Sequence, residues 1–251
     1  SSPGVSRAMK HAESLLGFKL FTRKGGRYTP TLEAKDIFTQ VNSVYDKVED
    51  LQYVIAKLKR GTDVALSIGS VPSLATVVAP RAIADIRRRY PALSISLDII
   101  KVEDAIDYLL MGKGEAVAMS YRIEHSMVNF EPLAEGHLKC VVPNGHPLAS
   151  RRAVSVKDIA KFPLIGIDPN DPYGRIIARH FREANLQYEV IVQARFGFTV
   201  AALVEQGLGV AVLDEFTVAA RNWPGTVVLD IVEHTTFQTF VAFRKDATLS
   251  S

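Results

Sequence analysis

The sequence predicts an α/β fold carried behind a long helix and a small basic head. Three observations support this. Residues 62–245 alternate short β-rich runs with helical stretches, residues 32–60 form one helical pattern without glycine or proline, and residues 1–31 are short, basic and punctuated by glycine. Strand and helix patterns in alternation are those of parallel sheets covered by helices.

The head comes first. Ser2-Pro3 supplies a helix cap and a first-turn proline. Val5, Met9, Ala12 and Leu16 then share the side expected to be buried, and Ser6, Arg7 and Lys10 face outward. Leu15, Leu20 and Phe21 read as core. Arg7, Lys10, Lys19, Arg23, Lys24 and Arg27 stand against Glu13 alone, a balance of +5. From Thr62 onward 19 basic residues face 21 acidic ones, a balance of −2. Charge so distributed predicts that the head alone meets a polyanion, a solvated basic surface being the plainer alternative.

The linker follows. Ala34, Ile37, Val41, Val44, Val48, Leu51, Ile55 and Leu58 recur at alternating spacings of three and four, and Arg60-Gly61 ends the pattern. A narrow heptad seam with charged flanks predicts a helix packed on a partner helix, an amphipathic helix lying on its own domain being the alternative.

In the remainder, strands are expected at 64–69, 93–100, 116–120, 138–142, 164–167, 188–194, 210–213, 227–232 and 237–243. Helices are expected at 73–90, 103–111, 156–160, 174–184 and 199–206. Open sheets of this kind bind ligands at the carboxyl ends of their strands.

Composition narrows the function. The 251 residues, 47% hydrophobic, can build two lobes with cores of their own. No apolar run approaches the roughly 18 residues of a membrane span, and no signal-peptide core opens the sequence. Cys140 is the sole cysteine, which excludes a disulfide framework and fits a reducing cytoplasm. There is no phosphate loop, no H-E-x-x-H and no G-x-S-x-G. His146 has no ligand-spaced neighbour, and Gly207-Leu208-Gly209 reads as a tight turn. Catalytic residues, a metal and a cofactor are therefore not expected.

Residues 2–21, Ser-Pro-Gly-Val-Ser-Arg-Ala-Met-Lys-His-Ala-Glu-Ser-Leu-Leu-Gly-Phe-Lys-Leu-Phe, with Arg23, closely resemble the recognition-helix segment of LysR-type transcription regulators. The family pattern is S-x-P-x-[VLI]-S-x-x-[IM]-x-x-L-E-x-x-L-G-x-x-L-F-x-R, and Ala12 departs from its usual leucine. Lys24 to Pro30 resembles the wing that follows. Tyr28-Thr29-Pro30-Thr31-Leu32-Glu33-Ala34, Cys140 to Ala149 and Val204 to Val212 resemble the branch that regulates opine, lysine and diaminopimelate metabolism.

The resemblance implies a partial winged helix-turn-helix over 1–31, the family's pattern extending further toward the N-terminus, so that the chain reads as N-terminally truncated. A dimerisation helix over 32–61 would follow. Residues 62–251 would form a two-lobed effector domain of the type 2 periplasmic-binding-protein-like fold. Lobe I would span about 62–141 and 239–245 and lobe II about 142–238, with hinges near Val142-Pro143 and Phe237-Gln238. Ser2, Pro3, Ser6, Arg7, Lys10, Arg23 and Arg27 are the implied DNA contacts. A ligand between the lobes would meet Ser70, Val71, Pro72, Ser73, Lys101, Ser120 and Tyr121 from one side. Asp168, Tyr173, Arg195, Phe198 and Thr199 would meet it from the other. Asp168 or Asp171 could serve an ammonium, and Arg195, Arg122 or Lys101 a carboxylate. Each is weighed against an ordinary surface or capping role. The expected partners are promoter DNA, a small effector such as an opine, further copies of the chain as a dimer or tetramer, and RNA polymerase, with no membrane. A transport solute-binding protein of the same architecture is the alternative, and an enzyme the third.

Overall fold

The computed structural model describes residues 3–24, 27–59, 65–166 and 171–246, which divide into two compact units, 1–61 and 62–251.

In the first unit, α1 (Pro3–Leu16) leads into the antiparallel hairpin of β1 (Phe21–Lys24) and β2 (Arg27–Pro30), and α2 spans Leu32–Lys59. Gly17 ends α1 with φ +79°, a left-handed conformation that glycine adopts without strain. Glu13 fastens this corner: its carboxylate accepts from the Leu20 amide at 2.9 Å and from Lys19 Nζ at 2.9 Å. Thr31 caps α2, accepting from the Ala34 amide at 3.2 Å and donating to the Lys19 carbonyl at 2.7 Å. Leu20 and Ala34 are buried, and Phe38 packs on Phe21 with ring centroids 5.1 Å apart.

Three expectations for the head fail. Leu15 is 76% exposed, and Val5 and Leu16 also lie open, because the described parts of this unit leave that side of α1 uncovered. On α2, Ile37 is half-buried, whereas Val41, Val44, Tyr45 and Val48 form an exposed apolar stripe. The side chains of Leu51, Ile55 and Leu58 fall outside the described residues.

The second unit is two-lobed and built on one eight-stranded sheet. Its first half comprises β3 (Ala65–Ser70), α3 (Val78–Arg89), β4 (Ser94–Ile99), α4 (Ala105–Leu110) and β5 (Ala116–Met119). The long β6 (Val128–Pro143) leads to β7 (Ala153–Val154), α5 (Val156–Ile159) and β8 (Leu164–Gly166). Next come α6 (Pro172–Glu183), β9 (Val190–Gln193), α7 (Gly197–Glu205), β10 (Ala211–Asp214) and α8 (Glu215–Ala219). β11 (Thr226–Ile231) and β12 (Thr236–Arg244) close the chain. Strand order is β4-β3-β5-β12-β6-β11-β7, with β10 also on β6 and a separate β8-β9 pair.

The expected parallel pairing holds for only part of the sheet. β3 pairs parallel with β4 and β5, but β12 runs antiparallel to β5 and β6, as do β10 and β11 to β6. Antiparallel neighbours arise where the chain crosses between lobes and returns. The first crossing also falls earlier than Val142-Pro143. β6 faces β12 up to His137 and faces β10 and β11 from Leu138 on. The return crossing carries a register shift between Gln238 and Phe240. The expected helix at 73–90 starts only at Val78, after a run of turns, and the one at 103–111 opens as a 3-10 turn over Val102–Asp104.

Both sheet faces are covered. In lobe II, Cys140, Val142, Ile159 and Phe181 lie in one core, and Val141, Val200, Val204 and Leu213 in another. In lobe I, Leu109, Val117 and Met119 pack with Val128, while Val71, Leu74 and Ala118 form a smaller cluster. Cys140 is fully buried, and burial pushes its thiol up to about 12, which keeps it protonated.

The turn ahead of β10 is tight. A Cβ on Gly209 would stand 2.6 Å from the Pro163 carbonyl oxygen, which already accepts from the Val210 amide. Gly209→Ala is expected to cost about 1–3 kcal/mol in urea unfolding. An unchanged midpoint and slope would show that this contact relaxes freely.

Candidate functional site

The carboxyl ends of three parallel strands meet on one side of a cavity of about 610 Å³. After β3 come Val71, Pro72 and Ser73; after β4, Lys101 and Glu103; after β5, Ser120 and Tyr121. The opposite wall is built from lobe II. Asp171 and Tyr173 open α6, Arg195 follows β9, Phe196 to Phe198 open α7, and Asp214 and Thr217 stand at the end of β10. This convergence follows from topology, since helices start where strands end and residues near those junctions face the gap.

Capping explains several local geometries. Asp171 caps α6 by accepting from the Tyr173 amide at 2.9 Å, and Pro172 occupies the first turn. Asp214 caps α8, accepting from the Thr217 amide at 2.9 Å and hydroxyl at 2.6 Å. Phe196 provides no side-chain cap for α7, so the first amides of that helix are left to solvent or a ligand. Gly197 allows α7 to approach Thr217, whose side chain would lie 3.0 Å from any Cβ placed there.

Among the described residues the lobes touch across the cavity through several side chains. Ser73 Oγ and Tyr173 Oη are 3.2 Å apart. Arg195 Nη2 donates to Glu103 Oε1 at 2.9 Å. The Arg175 guanidinium lies 5.7 Å from the centre of the Tyr121 ring. Tyr173 also packs against Phe237 of the return crossing, ring centroids 4.6 Å apart. Burial raises the pKa of Tyr173 well above the usual tyrosine range, so its hydroxyl stays protonated. Burial likewise raises Tyr121, with Arg175 acting in the opposite direction.

Of the residues expected at a ligand, Val71, Pro72, Ser73, Lys101, Ser120, Tyr121, Tyr173, Arg195 and Phe198 line this cavity. Ser70 and Thr199 do not. Ser70 is fully buried and donates to the Val71 carbonyl at 3.1 Å, and Thr199 is exposed on α7 beyond the cavity lining. Asp168 lies outside the described residues, and Arg122 is exposed away from the lining. Sequence reading passed over Glu103, Asp214 and Thr217. The Asp214-x-x-Thr217 spacing, at the end of an expected strand, was a legible cap signal. Glu103 had no local signal, because its partner lies in the other lobe. Among the described residues no cluster of three or more His, Cys, Asp or Glu side chains is placed to hold a metal, and no helix is long and apolar enough to cross a membrane.

In the head, Ser6, Arg7 and Lys10 are exposed on α1. Pro3 starts that helix, and Arg23 and Arg27 lie on the two hairpin strands, opposite Tyr28 and Lys24 respectively. Ser2 and the side chains of Pro3, Arg23 and Arg27 are outside the described set.

The family model for the LysR substrate binding domain matches residues 59–251. The chain belongs to the LysR family. It is 27% identical over 217 residues to the HTH-type transcriptional regulator DgcR of a Pseudoalteromonas species, covering 86% of this chain and 75% of that protein. It is 26% identical over 231 residues to the transcriptional activator protein LysR of Escherichia coli K12, covering 91% and 73%. Its fold is similar to that of HinK, a LysR family regulator from Pseudomonas aeruginosa, with TM-score 0.67 at 20% identity over 100% of this chain and 84% of that one. It is also similar to full-length CbnR in complex with its target DNA, with TM-score 0.66 at 17% identity over 98% and 85%. This LysR-type transcriptional regulator thus carries an effector-binding domain.

Asp214 gives that domain a pH signature. Burial lifts its carboxyl from 3.8 to about 6, against the pull of the Thr217 hydrogen bonds. A raised folded pKa favours the folded state while the group is protonated. That contribution is complete below about pH 4 and is lost as pH rises through about 6. The shift corresponds to about 3 kcal/mol. Asp214→Asn is expected to remove this slope from urea-unfolding free energies measured between pH 4 and 7.5. A stability difference between the two proteins that does not vary with pH would refute the assignment.

Proposed function

We propose that this regulator senses an amino-acid derivative such as an opine, held between the lobes, and transmits its binding to promoter DNA through a head that reads the major groove. The carrying observation is the mixed charge of the cavity lining, to which Lys101 and Arg195 contribute cations and Glu103, Asp171 and Asp214 carboxyl groups. Such a lining suits a ligand bearing both carboxylate and ammonium groups. The uncapped start of α7 and the hydroxyls of Ser73 and Ser120 add neutral donors for a carboxylate.

In this reading Ser6, Arg7 and Lys10 of α1 approach base edges and phosphates, with Ser2 and Pro3 at the helix start, and Arg23 and Arg27 hold the backbone from the hairpin. The exposed stripe Val41, Val44 and Val48 packs on the same helix of a second copy, in a dimer or a tetramer. Lobe I and lobe II divide where β6 changes partners and where β12 shifts register. The effector biases one lobe or subunit arrangement and so alters DNA geometry or contact with RNA polymerase. The resemblance to regulators of opine, lysine and diaminopimelate metabolism supports the ligand class. A transport role is not favoured, since the relatives named above are transcription regulators.

Thermal unfolding of the chain against millimolar amino acids, opines and their lactams tests the ligand class. A midpoint rise confined to one or a few of them is expected, because a ligand of the native state stabilises it by mass action. A panel that shifts nothing would remove the amino-acid derivative as effector. Val48→Glu is expected to lower the oligomeric mass in multi-angle light scattering while leaving the circular-dichroism spectrum unchanged. An unaltered mass would refute the seam.

A further inference from the structure

Resting on the reading of the cavity as an effector site, we infer that Glu103 is a built-in competitor for the effector's carboxylate. It holds Arg195 across the mouth of the cleft, and an anionic ligand binds by taking Arg195 from it. Lys101 and Arg195 are the two cations among the described lining residues, and Lys101 shares the Glu103 rim. The three lining carboxylates are not equivalent. Asp171 and Asp214 are turned onto their own helix starts, where backbone amides hold them. Glu103 instead reaches into the opposite lobe and accepts from Arg195 Nη2 at 2.9 Å.

Both partners sit at the mouth, their side chains 69% and 53% exposed, in contrast to Asp214 and Tyr173 within. A pair so open to water is weakly held and exchanges readily. A guanidinium prefers a carboxylate that engages two of its N–H groups at once. A ligand carboxylate presented from inside the cleft can make that bidentate contact. Its other end then meets Ser73 and the first amides of α7. The tie between lobes passes from protein–protein to protein–ligand–protein, and Glu103 is released to solvent beside Lys101. Until that exchange occurs, Glu103 also places a like charge in the path of an incoming anion. The consequence is selectivity: a ligand needs a carboxylate for Arg195 and a second polar group for the interior.

The test uses malonate, succinate and glutarate as defined dicarboxylate probes, titrated calorimetrically into the wild-type chain, Glu103→Gln, Arg195→Gln and the double variant. Glu103→Gln is expected to bind at least one probe about fivefold more tightly than wild type. Arg195→Gln is expected to bind all three more weakly, and the double variant to lose the gain. The inference is overturned if Glu103→Gln binds none of them more tightly, if the gain survives without Arg195, or if no probe binds Glu103→Gln at 20 mM. Glu103 is exposed, so its replacement leaves the cores intact, and a matching thermal midpoint in the absence of probe checks this. The probes carry no ammonium group. A failed amino-acid panel with a positive Glu103→Gln result would reject the proposed effector class alone, and the reverse would reject the competitor alone.

Discussion

A single strand determines how the effector domain is put together. β6 runs without interruption over Val128–Pro143, giving its hydrogen bonds to β12 along one half and to β10 and β11 along the other. Each lobe therefore inherits its orientation from the same backbone. β12 returns beside it, pairing Thr236 with His137 at the change of partners and shifting register a few residues on, between Gln238 and Phe240. Around this junction Leu138, Tyr173 and Phe237 pack into one buried cluster. A change in Tyr173 is in that way felt at the crossing, at the lobe II helix it starts and at Ser73 of lobe I.

The two crossings also explain why the cleft is polar while its supports are not. Strand β5 buries Val117, Ala118 and Met119 in the lobe I cores, and the segments after β3, β4 and β5 emerge as Ser73, Lys101, Ser120 and Tyr121. The lobe II elements do the same with Asp171, Arg195 and Thr217. Helix starts need hydrogen-bond partners, which places capping carboxylates and open amides at the rim of any gap bounded by such junctions. The groups that satisfy the fold and those suited to a ligand are consequently neighbours. Asp214 shows the overlap: it caps α8 and lines the cavity, at the cost of an ionisation held near neutral pH.

The head and linker follow a different logic. Among the described residues the bonds that shape them are local, with Glu13 joining α1 to β1 and Thr31 starting α2. Exposed apolar groups on both helices, including Leu15, Val41, Val44 and Val48, leave surface that this unit does not bury by itself. An exposed apolar stripe of this kind is costly in water unless another surface covers it.

Much of this was legible in the residues. The spacing of Ala34 to Leu58 announced α2, the Ser2-Pro3 start announced α1, and the alternation after Thr62 announced an α/β domain, because periodicity and caps are local properties of a chain. Strand-end residues such as Ser73, Lys101, Tyr121 and Arg195 could be named for the same reason. Other features depended on distant pairing. The mixture of parallel and antiparallel pairs, the place where β6 crosses, the exposure of Val5 and Leu16, and the absence of Ser70 and Thr199 from the cavity lining were decided by which segments meet. No spacing in the sequence joins Glu103 to Arg195 or Ser73 to Tyr173. Local pattern determined the elements and their polar ends, and tertiary structure alone decided which ends face one another, since those contacts exist only once β6 and β12 hold both lobes together.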